Sequence, residues 1–116
     1  MGNRQTLEDN DIWRPLIKQF MRMASQTISL AADNYAIDID QPPVLWIDPN
    51  GSKDVLLPAE ASSKFAVFVI INTADAAENL TVKEDSDTTT ITVVGQNEIG
   101  VYFCDGTSWR GFTGVV

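Results

Sequence analysis

Paired carboxylates are the residues of this chain whose type and spacing first suggest chemistry. Asp38 and Asp40 stand two apart in residues 35–40, where apolar and polar residues alternate as in a strand. Residues at that spacing share one face of a strand, and two carboxylates there could act as acid and base or bind Ca²⁺. The acidic run at residues 84–87 could also bind a cation, although it lacks the glycine and the distal glutamate of an EF-hand loop. The sequence favours a plainer interpretation of both groups, as solvent-exposed carboxylates that keep strand edges soluble.

The sequence contains few residues that could act as a catalytic nucleophile or as a soft metal ligand. The 116 residues include no histidine and one cysteine, Cys104. The missing histidine excludes a Ser–His–Asp triad and a His–Cys metal site, and one cysteine excludes an internal disulfide. Because Cys104 ends an apolar segment and has no histidine to activate it, we expect a small buried hydrophobic residue. The sequence therefore predicts a protein that is not an enzyme and uses no cofactor.

Three aromatic residues offer a different kind of site. Trp46, Tyr102 and Trp109 could form a cage or a stacking platform for a ligand. Their positions in predicted strands instead favour a place in the core or in an interface.

The charge of the chain limits its partners and suggests its organisation. Sixteen acidic and eight basic residues give a net charge of −8. Phosphates repel such a chain, and no apolar run approaches the ~18 residues of a membrane span, so we expect neither nucleic acid nor a membrane as partner. Residues 1–34 are balanced in charge, and all the excess lies in residues 35–116. This predicts an N-terminal arm over 1–34 and a β-strand body over 35–116.

The arm contains an amphipathic helix pattern. Ile12, Leu16, Ile17 and Phe20 recur at helical spacing, which predicts a helix from residues 12–14 to about residue 25, and Pro15 fits within its first turn. A helix this short is marginal alone, so its apolar stripe needs a partner surface. A basic stripe lies on a second face, which is either simply solvated or docks on an acidic protein surface or a neighbouring copy. The candidate interface residues are Trp13, Arg14, Leu16, Ile17, Lys18, Phe20 and Arg22.

The body has the pattern of a small β fold. From residue 44 on, apolar segments recur every 8–14 residues with turn residues between them, and the eight-residue run FAVFVIIN (65–72) predicts a buried central strand. Further strands are predicted at residues 80–83, 90–94 and 99–104. Residues 48–51, Asp-Pro-Asn-Gly, suit a type I turn that joins segments 44–47 and 54–57 as partner strands. The fold class expected is mainly β, a small antiparallel β-sandwich or barrel with an N-terminal helical arm.

The ordered turn and strand motifs of the body resemble those of a family of virion proteins. The segments that carry the resemblance are Asp48-Pro49-Asn50-Gly51, Val55-Leu56-Leu57-Pro58, Ile71-Asn72, Leu80-Thr81-Val82 and Asp105-Gly106-Thr107-Ser108-Trp109. In this order they are similar to structural proteins of tailed bacteriophages, of the capsid decoration (cement) or head-fibre type. The resemblance covers residues 44–112, and residues 1–34 lie outside it.

The resemblance implies a structural role in the virion. A decoration protein of this kind is a homotrimer that binds the major capsid protein on the outer surface of the capsid and braces the shell, after synthesis in the host cytoplasm. The sequence leaves a tail-fibre or head-fibre module open as an alternative. A carbohydrate-binding β-module, with Trp46 or Trp109 as its stacking platform, is the alternative from another class.

Overall fold

The fold consists of two β-sheets around one hydrophobic core. The structure, a computed structural model, describes residues 24–31 and 33–115. These residues form nine strands and one 3₁₀ turn at Glu60–Ser62. The strands are β1 (Ser25–Ser29), β2 (Asn34–Ala36), β3 (Val44–Asp48), β4 (Lys53–Leu56), β5 (Val67–Asn72), β6 (Leu80–Lys83), β7 (Thr90–Val94), β8 (Glu98–Cys104) and β9 (Trp109–Val115).

Both sheets are mixed, which corrects the expectation of an antiparallel body. The five-stranded sheet has the order β1-β3-β5-β8-β9, and the four-stranded sheet has the order β2-β4-β6-β7. Strands β1 to β6 alternate between the sheets, and their neighbours within a sheet run parallel. Only the pairs β5–β8, β8–β9 and β6–β7 among the described strands are antiparallel. Since the two-residue period of a strand is the same in both arrangements, the sequence pattern could not distinguish them.

The turn at residues 48–51 also differs from its prediction. It connects β3 in one sheet to β4 in the other, so these strands are not partners. Asn50, the second central residue of this turn, has a positive φ angle of 51°, whereas both central residues of a type I turn have negative ones. Gly51, which follows, has a φ angle of 98°. The Asn50 side chain donates hydrogen bonds to the Leu30 carbonyl at 2.9 Å and to the Ser29 hydroxyl at 2.7 Å. The turn thus directs the chain across the core and ties it to the end of β1.

The core lies between the inner faces of the two sheets. It combines buried residues of the five-stranded sheet, such as Leu45, Phe68 and Tyr102, with Val55 and Leu80 of the four-stranded sheet. The resulting cluster is continuous, and it supplies the apolar burial that stabilises the fold.

Tyr102 fills the core at a place that two glycines leave free. A Cβ atom on Gly111 would lie 2.5 Å from Tyr102 Cδ1, and one on Gly100 would lie 2.7 Å from Cζ. The Tyr102 hydroxyl makes a 2.5 Å hydrogen bond with Thr92 Oγ1 of β7, which joins the two sheets. Burial raises the pKa of Tyr102 to about 12.

Asn72 is a buried polar residue whose side chain is fully used. Its amide nitrogen donates to the carbonyls of Glu78 and Val94, both at 2.9 Å, and its oxygen accepts the Ala74 N–H at 2.9 Å. These bonds fix the end of β5 against β7 and against the following loop.

The N-terminal region is described only from residue 24. Ser25, at the expected end of the helix, is the first residue of β1, and β1 pairs with β3 from Ser25↔Val44 to Ser29↔Asp48. The remainder of the predicted helix, from residue 12 to residue 23, lies outside the described residues.

Candidate interaction surface

The outer face of the five-stranded sheet is apolar across four strands. Inward residues such as Leu45, Phe68 and Tyr102 alternate with outward ones, and register partners on adjacent strands share a face. One outward row, from β3 to β9, is Val44, Val69, Val101 and Phe112. The rows on either side are Trp46, Ile71 and Ile99, and Val67 and Phe103. These three rows are called the apolar face below.

Large side chains of the apolar face are open to solvent. Trp46 is 42% exposed, Phe103 47% and Phe112 60%. Phe65, which precedes β5 at the edge of this face, is 79% exposed. Its φ of 66° is in the left-handed region, which is unfavourable for a bulky side chain, and its N–H donates to the Cys104 carbonyl at 2.8 Å. Exposed aromatic residues in such a group mark an interaction surface.

Charge is confined to the margins of the apolar face. The strands of the five-stranded sheet carry three charged residues, Asp48, Glu98 and Arg110. Asp48 ends β3 on the outer side. Glu98 begins β8 on the inner side, which it shares with Gly100 and Tyr102, and it accepts a hydrogen bond from the Gly95 N–H. Arg110 pairs in register with Phe103 at the opposite corner from Asp48. The centre of the face therefore carries no carboxylate, in a chain with a net charge of −8.

The outer face of the four-stranded sheet is more polar. Asn34, Asp54 and Thr81 stand opposite one another on β2, β4 and β6. Lys83 Nζ forms ion pairs with Asp54 and Asp87, both at 3.1 Å, and the hydrogen bond to Asp54, followed by that to Asp87, raises the pKa of Lys83. Val93 of β7, opposite Thr81, is 46% exposed beside these polar groups.

The three aromatic residues considered as a ligand cage do not come together. Tyr102 and Trp109 are buried on the inner side of the five-stranded sheet, and Trp46 lies on its outer side. The centre of the Trp109 ring lies 6.0 Å from that of Phe68, with the two rings tilted by 45°, and Trp109 Nε1 donates to the Pro58 carbonyl at 2.9 Å. Trp109 is therefore a core residue, and only Trp46 of the three could offer a ring to a ligand.

The carboxylates considered for acid–base or metal chemistry make local turn contacts instead. The strand expected over residues 35–40 ends at Ala36, and Asp38 Oδ1 accepts the Asp40 N–H at 2.9 Å. In the loop after β6, Glu84 accepts hydrogen bonds from Ser86 and Thr88, and the bond from Ser86 lowers the pKa of Glu84. Among the described residues, no group of three acidic, histidine or cysteine side chains could hold a metal ion.

Cys104 is buried, as the sequence predicts. Its sulfur accepts the Gly106 N–H at 3.4 Å in the turn that joins β8 to β9. In the same turn Asp105 Oδ1 accepts the N–H groups of Thr107 and Ser108, both at 2.8 Å, and the bonds from Ser108 and Thr107 lower the pKa of Asp105.

The motifs that carry the phage resemblance serve the fold in this structure. Pro58 and Trp109, from two of those motifs, meet through the indole hydrogen bond, and Asn72 and Asn50 fix loops. The apolar face was not among the sites considered from the sequence. Its signal was present in β3, β5 and β8, whose apolar residues follow one another without strict alternation.

The candidate interface residues from Trp13 to Arg22 lie outside the described residues. None of the helical turns in the described part of the chain is long and apolar enough to cross a membrane. No protein-family model, curated protein sequence or solved structure matches this chain.

Proposed function

We propose that this chain is a capsid decoration (cement) protein of a tailed bacteriophage, which binds the outer shell as a homotrimer and stabilises it. The sequence support is the ordered set of motifs between residues 48 and 109 that resembles such proteins. The structural observation in its favour is the apolar face, which gives a small acidic β body a surface suited to protein contacts. Cement action needs many copies and mutually reinforcing contacts rather than catalysis.

In this proposal residues 12–23 form the helical arm that attaches to the shell or to a sister subunit. Trp13, Leu16, Ile17 and Phe20 supply apolar contact area. The basic residues Arg14, Lys18 and Arg22 favour an acidic surface on the partner.

Cosedimentation with undecorated shells tests the proposal. The full-length protein is mixed with shells assembled from the major capsid protein of the phage that encodes it, and occupancy and heat resistance of the shells are measured. We expect saturable binding and a higher melting temperature of the shell. Phe20→Ala should lower occupancy, whereas Gln19→Ala, its neighbour outside the apolar stripe, should not. Shells that remain bare at saturating protein would contradict the proposal.

A carbohydrate-binding module is a second candidate, favoured by one observation. Trp46 is 42% exposed on an open sheet face, beside Thr27 of β1 in register. A flat indole in that position can stack on a sugar ring. A glycan array probed with the full-length protein and with Trp46→Ala distinguishes this function, because a lectin role requires hits that the variant loses.

A further inference from the structure

We propose that the apolar face is the surface through which copies of this chain associate with one another. The inference rests on the proposed function, which requires self-association, and it assigns that association to particular strands. The occupant of the face is a second copy of the chain.

The pattern of the strands indicates that this face is covered. Strands β3, β5 and β8 carry apolar side chains toward both sides of their sheet, and only the inner side meets the core. Strands of this kind are typical of sheets that are covered on both faces. The exposed rings of Trp46, Phe103 and Phe112 show which side the described residues 24–31 and 33–115 leave uncovered.

The charge distribution favours a second copy as that cover. Identical chains with a net charge of −8 repel one another across most of their surface. The centre of the apolar face carries no carboxylate, so two copies can approach there without placing like charges opposite each other. Arg110, at a corner of the face, gives each copy a cation that can meet Asp48 of its neighbour.

The apolar face is smaller than the area that one partner contributes to a standard pairwise interface. Four strands at ~4.8 Å and three rows of side chains at ~6.7 Å give an area on the order of 400 Å². This is about half of the ~800 Å² that each partner contributes to a standard interface. Around a symmetry axis each copy meets two neighbours, so that the contacts reinforce one another and none has to be strong alone.

Light scattering of full-length variants tests the inference. Phe103→Thr with Phe112→Thr removes two exposed rings and keeps residues that favour strands. The matched control is Leu56→Thr with Val93→Thr, on the outer face of the four-stranded sheet. We expect the wild type and the control to have a mass of about three times 12.8 kDa and the apolar-face variant to have 12.8 kDa. An apolar-face variant that keeps the wild-type mass, or a monomeric wild type, would overturn the inference.

A charge reversal provides a second test that leaves the core untouched. Arg110 is exposed, so Arg110→Glu should fold normally and Arg110→Lys should behave as the wild type. We expect the glutamate variant to dissociate at a concentration at least tenfold higher than the wild type at low salt, with the difference reduced as salt screens the repulsion. Equal dissociation of both variants at all salt concentrations would contradict the inference.

Two further measurements separate the other outcomes. If Leu16→Ser with Phe20→Ser leaves the mass unchanged but increases binding of a hydrophobic dye, the N-terminal segment covers the face, and the inference is wrong.

Shell occupancy is measured independently of mass. A wild type that assembles through the apolar face but leaves shells bare would refute cement action alone, whereas a monomer that decorates shells would refute only the inference.

Discussion

The outer faces of the two sheets differ in the side chains that they present to their surroundings. Each sheet buries one side against the common core and must leave the other side stable in its surroundings. The four-stranded sheet does so with polar partners, among them the ion pairs of Lys83 with Asp54 and Asp87. The five-stranded sheet instead presents Trp46, Phe103 and Phe112. Exposed ion pairs thus characterise a face that water can solvate, whereas a group of exposed rings characterises a face suited to protein contacts.

The largest effect is expected where a ring is removed from the core side of the five-stranded sheet. Phe68 is 2% exposed, so Phe68→Ala should lower the free energy of unfolding by about 3–5 kcal/mol. Phe112→Ala, on the outer side, should change it by less than ~1 kcal/mol at dilution that prevents association. Urea denaturation of both variants makes the comparison. Similar losses in the two would mean that the outer side is as fully packed as the inner side.

The next effect concerns the polar anchor on the inner side. Asn72→Leu would leave the carbonyls of Glu78 and Val94 and the N–H of Ala74 without their partner. Burial of such groups without hydrogen bonds should lower the free energy of unfolding by about 3 kcal/mol. Asn34→Ala, an exposed position on β2, is the control and should be nearly neutral. Thermal and urea unfolding that show equal stability for both variants would exclude this role for Asn72.

The burial of the Tyr102 phenol makes stability fall at alkaline pH. Burial raises the pKa of Tyr102 to about 12, above the ~10 of the unfolded chain, because the neutral phenol is the form that fits the core. Its contribution is therefore complete below pH ~10 and is lost between pH ~10 and ~12, by about 2–3 kcal/mol. Melting temperatures between pH 9 and pH 12 should fall less steeply in Tyr102→Phe. An identical slope in both proteins would contradict the assignment.

The smallest effect is expected on the polar outer face. Lys83→Gln removes the ion pairs with Asp54 and Asp87. Because these groups are partly solvated, the melting temperature should decrease slightly at low salt, and the difference should shrink as salt increases. A Lys83→Gln variant whose melting temperature falls equally at low and high salt would show that the contribution is not electrostatic.

Most strands were predictable, but their partners were not. Apolar segments located β3, β5, β6, β7 and β8 to within one or two residues of their observed bounds. The prediction that segments 44–47 and 54–57 pair was wrong, because the turn at Asn50 and Gly51 carries the chain into the other sheet. A turn motif predicts that the chain changes direction, but it does not predict which strands become neighbours in a sheet.

Single residues likewise differ in whether local sequence or strand pairing decides their environment. The burial of Cys104 followed from its apolar neighbours and the absence of histidine, both visible in the sequence. Trp46 and Trp109 cannot line one ligand cage, because they lie on opposite sides of the same sheet. The side to which a residue points depends on the register of its strand with its neighbours, and a shift by one residue would exchange the two sides.

Composition and local periodicity were sufficient to predict the β class of this protein, the positions of most of its strands and its strongly acidic charge. Three features became visible in the folded chain alone: the strands alternate between two mixed sheets, Gly100 and Gly111 make room for Tyr102, and apolar residues from four strands form one exposed face. These features depend on contacts between residues far apart in the chain, such as Val44 with Val69 and Val101 with Phe112. Such contacts arise from the packing of the whole fold, and no local pattern encodes them.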